Sequence, residues 1–163
     1  VDFALPRADS EHDGRKCKTE QVQTIEQDLA RRDFTMNAIA VMCGDENDWL
    51  TPQWDNAVDP FDGMGAIARK EIQFVGNASE RIAEDELRIL RAMRFSVTLG
   101  FTMSEETAEA VMNGEVTNKV SADRIFTELN KMSEKDAVAT VSALVKFNKV
   151  PLLNRLKMTF SGK

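Results

Sequence analysis

Up to about residue 62 the apolar residues of this chain come in short pieces, whereas from about residue 79 onward they recur at helical spacing. Val1 to Leu5 (V-D-F-A-L) alternates and is stopped by Pro6, which predicts a short strand. Arg7 to Thr24 is polar, contains Asp13-Gly14 and keeps no period, so it reads as an exposed loop. Thr24 to Ile39 turns helical, with Ile25, Leu29, Phe34 or Met36, and Ala40 roughly on one side, and with Arg31, Arg32 and Asp33 in its middle. Ala38 to Met42 and Trp49 to Thr51 are short apolar runs around Gly44 to Asp48, a hairpin pattern with an acidic tip that lacks the full ligand set of a calcium loop. Asp59-Pro60-Phe61 and Gly63 break the chain ahead of a short helix around Met64 to Ala68.

The remaining segments are bounded by helix punctuation. Ser79 is a candidate N-cap for a helix running to Leu99, with Gly100 as its stop. Ser104, followed by Glu105 and Glu106, starts another that ends before Gly114. Ser121 caps a third through about Met132, and Ser133 with Asp136 opens a fourth that ends near Asn148. Pro151 begins a last short turn or helix. Short strands followed by helices predict an α+β fold that is mostly α.

Within the long predicted helix, A-E-D-E-L-R-I-L-R-A-M-R-F (Ala83 to Phe95) carries more charge order than packing requires. Ile82, Ile89, Leu90, Met93 and Val97 fall on one side, while Arg81, Glu84, Asp85, Arg88 and Arg91 gather on the other. Asp85 accepts hydrogen bonds and Arg88, three residues on, donates them, so the pair can match the edge of a nucleobase. Adenine and cytosine present an exocyclic amine beside an accepting ring nitrogen, and guanine and uracil present the reverse, so the pair would favour ATP and CTP. Without further context the same charges read as a solvated face of weak ion pairs.

Composition narrows the field. With 42% hydrophobic and 29% charged residues the chain reads as an ordinary soluble globular protein of one to two domains, without a membrane segment or secretory signal. A balance of 21 basic to 27 acidic residues, net −6, argues against a wholesale electrostatic grip on nucleic acid. Any RNA contact is then local. One place for it is the carboxyl-terminal stretch from Ala137, which has no Asp or Glu but contains Lys146, Lys149, Arg155, Lys157 and Lys163; a solvated helix face with a tail explains the same pattern. Cys17 and Cys43 have no metal-ligand spacing and read as free thiols of a reducing, cytoplasmic protein. The single His12 excludes a multi-histidine metal site and argues against histidine-based hydrolysis.

Four blocks in order, R-R-D-F-T-M-N-A (Arg31 to Ala38), V-D-P-F-D-G-M (Val58 to Met64), E-D-E-L-R-I-L-R-A-M-R-F (Glu84 to Phe95) and V-S-A-D-R-I-F-T-E-L (Val120 to Leu129), resemble the class II nucleotidyltransferases, meaning CCA-adding enzymes and bacterial poly(A) polymerases. The resemblance covers the chain from Val1 to about Leu129 and begins in the middle of the family's catalytic domain. It implies a partial head domain over residues 1–62, a helical neck for base recognition over 63–132, and the start of a helical body with a basic tail over 133–163. The short strands would be the remnant of the family's catalytic sheet, whose open edge favours self-association. By the same resemblance Arg32 grips the triphosphate, Asp33 accepts from a ribose hydroxyl, Asn37 holds the sugar or the loop, and Glu84, Asp85, Arg88 and Arg91 belong to the nucleotide site. Arg124 and Glu128, which could bridge one another, are read as support for the base-reading helix. Asp2 is a candidate accessory carboxylate, beside the plain reading of a surface strand residue.

Such an enzyme uses ATP and CTP as substrates, Mg²⁺ as its metal and the 3′ end of tRNA or another RNA as acceptor. The family's Asp-x-Asp strand and Gly-rich phosphate segment are not found in this sequence. The chain therefore reads as an amino-terminally truncated nucleotide-recognition part of an enzyme that adds CMP and AMP to RNA 3′ ends, inactive alone. A non-catalytic nucleotide- or RNA-binding module acting as partner or regulator is the alternative, and a helical interaction protein a third.

Overall fold

Chain pairing begins earlier than the hydrophobic pattern predicts. Strands β1 (Arg7–Asp13) and β2 (Lys16–Gln21) pair antiparallel, with Asp13 opposite Lys16 and Ser10 opposite Lys18, where the sequence reads as a loop. The stretch has no apolar alternation for a period-2 reading to detect, and its pairing is made by backbone groups. The structure is a computed structural model that describes residues 7–13, 16–21, 24–44 and 52–161. The predicted strand Val1 to Leu5, with Asp2, and the acidic tip from Asp45 to Asp48 lie outside the described residues.

Helix α1 (Ile25–Ala30) starts where Thr24 accepts from Gln27 N, but it stops after six residues instead of continuing to Ile39. Phe34 is extended, at φ −122° and ψ 148°, and forms an antiparallel bridge with Phe74. Thr35 N donates to Gln73 O and Val75 N to Asp33 O, so tertiary pairing overrides the helical period. A 3-10 turn over Thr35–Asn37 follows. Strands β3 (Ala40–Cys43) and β4 (Pro52–Val58) then form the second hairpin.

Asp59 prepares the next helix, α2 (Gly63–Arg69), by accepting from Gly63 N at 2.7 Å and Met64 N at 2.8 Å. A Cβ on Gly63 would sit 2.2 Å from the Thr35 carbonyl oxygen and 2.7 Å from Ile39 Cγ1, so glycine is what lets α2 lie against the 3-10 turn. Strand β5 (Glu71–Ile72) pairs in parallel with β6 (Thr102–Met103), the strand that follows the long fourth helix.

The neck helices are α3 (Ala78–Glu84) and α4 (Leu87–Leu99), followed by α5 (Glu105–Asn113), α6 (Ala122–Lys135), α7 (Ala137–Lys146) and α8 (Pro151–Ser161). Asn77, not Ser79, caps α3 by accepting from Glu80 N. Gly100 ends α4 in the left-handed region at φ 68°, and Ser104 and Ser121 cap α5 and α6. Ser133 stays inside α6, and Asp136 itself caps α7. One core runs from Phe34 and Phe74 through Ile82, Ile89, Leu90 and Met93 to Ile125, Met132 and Leu144. The architecture is α+β and mostly helical; Phe34 joins the large core, while Leu29, Ala38 and Val75 form a second, smaller one with Ala40, Val58 and Phe61.

The carboxyl-terminal basic residues are partly structural. Lys149 is buried, and its Nζ donates to Met112 O and Gly114 O at the end of α5, while Arg155 donates to Val116 O, Thr117 O and Val120 O. Burial lowers the Lys149 pKa from 10.5, and the nearby Glu115 charge offsets only part of that. Because the folded value lies below the unfolded one, the unfolded chain binds more protons between the two, and stability rises with pH across that window. Urea midpoints of the parent and of Lys149→Met, compared from about pH 8 to above 10, should show the parent gaining on the variant. Parallel curves would mean that Lys149 titrates as an exposed lysine.

Candidate nucleotide-recognition site

Asp33 follows α1 at the corner that leads into the Phe34 bridge, where its backbone is tied to Val75. Its Oδ1 accepts from Phe34 N at 2.9 Å and from Asn37 Nδ2 at 3.1 Å, and its Oδ2 accepts from Arg91 Nε at 2.7 Å. The structure thus brings three sequence-predicted residues, Asp33, Asn37 and Arg91, into one cluster drawn from the head segment and from α4. Arg32 points elsewhere: its Nη2 pairs with Asp28 Oδ2 at 2.7 Å, and its side chain stays half-exposed. Asp28 is buried at 4% exposure and also takes Arg31 at 2.7 Å. Sequence reasoning missed Asp28, although its spacing of three and four residues to Arg31 and Arg32 is the signal for such pairs.

The helix expected to carry Asp85 and Arg88 on one continuous face is broken between them. Asp85 is extended at φ −148°, closing α3, and its Oδ1 accepts from Leu87 N at 3.1 Å. A short carboxylate that bonds a nearby backbone N–H competes with helix continuation, which is why the charged stripe folds as two helices. Both side chains have internal partners. Asp85 Oδ2 accepts from Arg124 Nη2 at 2.8 Å; Arg88, 9% exposed, donates through Nη1 to Arg81 O at 2.8 Å and to Glu84 Oε2. Arg88 Nε and Nη2 have no hydrogen bond among the described residues, so half of its fork stays available.

Arg124 and Glu128 do not bridge one another. Arg124 reaches Asp85, and Glu128, buried at 4%, accepts from Arg94 Nε at 2.6 Å. Arg94, missed by sequence reasoning, continues the Arg88, Arg91, Arg94 series and lies over the Phe95 ring at 4.0 Å. The three arginines of α4 are thereby taken by carboxylates from three different places: α3, the head corner and α6. A cleft of about 490 Å³ between α3 and α5, lined by Asn77, Ser79, Glu106 and Glu109 among others, contains none of the predicted residues. Among the described residues no group of three or more His, Cys, Asp or Glu is placed to hold a metal ion. No helix among them is long and apolar enough to cross a membrane.

Residues 1–73 match the family described as the Poly A polymerase head domain, and residues 100–151 match one described as the probable RNA and SrmB-binding site of polymerase A. The chain is 42% identical over 125 residues to the CCA-adding enzyme of Geobacillus kaustophilus, covering 76% of this chain and 28% of that one. It is 46% identical over 118 residues to the CCA-adding enzyme of Listeria innocua, covering 72% of this chain and 28% of that one. The crystal structure of the Bacillus stearothermophilus CCA-adding enzyme in complex with CTP superposes with a TM-score of 0.66 at 38% identity, over 77% of this chain and 30% of the other. An apo form of a CCA-adding enzyme superposes with a TM-score of 0.77 at 25% identity, over 92% of this chain and 34% of the other.

Fold and sequence together make this chain homologous to the nucleotidyltransferases represented by the CCA-adding enzymes. The homology is to the head and neck region of those enzymes, and the chain spans about a third or less of their length.

Proposed function

We propose that this chain is the part of a CCA-adding nucleotidyltransferase that selects the incoming nucleotide, its whole form transferring CMP and AMP to the 3′ end of tRNA. The observation that carries this reading is the joining of Asp33 and Asn37 to Arg91 of α4, one turn along from Arg88. With three hydrogen bonds already accepted, Asp33 keeps one acceptor site on Oδ2 for a ribose hydroxyl while Arg91 and Asn37 hold its orientation. Asp85, fixed from behind by Arg124, accepts from the exocyclic amine of cytosine or adenine, and the open part of the Arg88 fork donates to the adjacent ring nitrogen. Arg32 turns from Asp28 to a phosphate oxygen. The described residues form no cluster of three or more metal-ligating side chains, and in this reading they select and orient while the transfer is completed by the Asp-x-Asp strand of the family. Residues 1–62, 63–132 and 133–163 correspond in this reading to partial head, neck and start of the body.

Titration of the chain with each of the four ribonucleoside triphosphates tests the reading. CTP and ATP should bind and GTP and UTP should not, and Arg88→Ala should weaken the first two together by roughly 1–3 kcal/mol. Asp33→Ala should lower the preference of CTP over its deoxy form more than the preference for one base over another. Equal binding of all four nucleotides to the parent and to Arg88→Ala would remove the base-reading role. Addition of a polypeptide carrying the Asp-x-Asp strand, with labelled CTP and tRNA, asks whether the chain supports transfer.

A further inference from the structure

Glu84 is shared between two guanidinium groups. Its Oε2 is taken by Arg88 Nη1, and its Oε1 lies 2.9 Å from Arg81 Nη2. Next to that Nη2, Arg81 Nε is buried with no hydrogen-bond partner. Nε and Nη2 together form the side-on fork with which arginine grips a carboxylate at two points, so Arg81 uses one prong and leaves the other empty in a place that water does not reach. A buried unpaired donor is costly, and its persistence beside a carboxylate needs an explanation.

We infer that Arg81 is a positioning residue that takes over Glu84 when Arg88 swings its open Nε and Nη2 toward a nucleobase. The inference rests on the proposed role of Arg88. In the exchange Glu84 Oε2 leaves Arg88 Nη1 and moves to Arg81 Nε, which turns a one-point contact into a side-on pair. With Arg88 Nη1 still donating to Arg81 O, the hydrogen-bond count balances: one bond is lost at Arg88, one is gained at Arg81, and the orphaned donor is satisfied. Arg88 can then pivot about its remaining bond to Arg81 O while Glu84 keeps a counter-charge. Without Arg81, freeing Arg88 would strand a half-buried carboxylate. Lysine at position 81 would keep the charge but not the fork, and would not do this.

The side-chain Nε–H resonances of the isotope-labelled chain read the exchange directly, with the Arg81 signal assigned by its loss in Arg81→Lys. In Arg88→Met, which removes the competing guanidinium, the Arg81 Hε signal should move downfield and its exchange with water should slow about tenfold as the fork closes on Glu84. Arg88→Gln repeats this arm with a donor retained for Arg81 O, should methionine disturb packing. Saturating CTP should move the same signal in the parent. Arg81→Lys should weaken CTP and ATP alike by about tenfold, and Glu84→Gln should abolish that loss, a coupling that a merely structural arginine would not show. An unmoved Arg81 signal in both Arg88 variants, with amide spectra otherwise like the parent, overturns the inference. A signal that moves in the variants but not with CTP leaves the exchange standing and removes the base contact of Arg88.

Discussion

Phe34→Ala should lower the unfolding free energy by about 4 kcal/mol, a large share of what a domain of this size has. Phe34 is fully enclosed, stacks on Phe74 at 4.7 Å between ring centroids and meets the Phe95 ring edge-on at 5.5 Å. Its loss removes the transfer term and two aromatic contacts, and it leaves a cavity under a bridge that cannot close without moving the head corner away from α4. Urea unfolding gives the free energy, and Phe34→Leu, which refills most of the volume, should recover more than half of it. A variant as stable as the parent would mean that the head segment is not docked on the neck. The functional consequence follows from adjacency: Asp33 is the residue before Phe34, and its contact with Arg91 depends on the same docking.

Glu128→Ala is expected to cost about 3 kcal/mol, because it leaves the mostly buried Arg94 guanidinium without its carboxylate. Desolvation of the pair has already been incurred on folding, so the loss falls on an uncompensated charge rather than on one hydrogen bond. The paired replacement Arg94→Met with Glu128→Leu should be close to neutral, since two apolar side chains of similar length need no desolvation. A double-mutant cycle by chemical denaturation separates the two cases. Additive single losses, with no recovery in the double variant, would show that the two residues act independently. The exposed Lys131, at 3.9 Å from Glu128, is too distant and too solvated to take the place of Arg94.

Together these two positions describe how α4 is held. Phe34 and Arg91 fasten it to the head corner, and Arg94 fastens it to α6, while Arg88 is retained only by Glu84 and by the backbone of Arg81.

Much of this was readable locally. Ser104 and Ser121 as helix starts, Gly100 as a stop, the hairpin around residue 44 and the short helix after Asp59 are signals contained within a few residues, and local physics is sufficient to set them. The four blocks were equally legible, because family resemblance is written in residue types at fixed spacing. The failures at Phe34 and Asp85 share a cause, a partner far along the chain. Phe34 reads as a helical residue until Phe74, forty residues later, pairs with it, and Asp85 reads as mid-helix until its carboxylate turns to Leu87 N and Arg124. Helical period could not reveal that Arg91 takes Asp33, Arg94 takes Glu128 and Lys149 caps α5, since each partner lies at least thirty residues away. The sequence by itself determined which side chains carry charge and where helices can begin and end. Only the tertiary structure decided which carboxylate each arginine meets, because an ion pair depends on the distance between groups after packing, and no spacing along the chain encodes that distance beyond a turn or two.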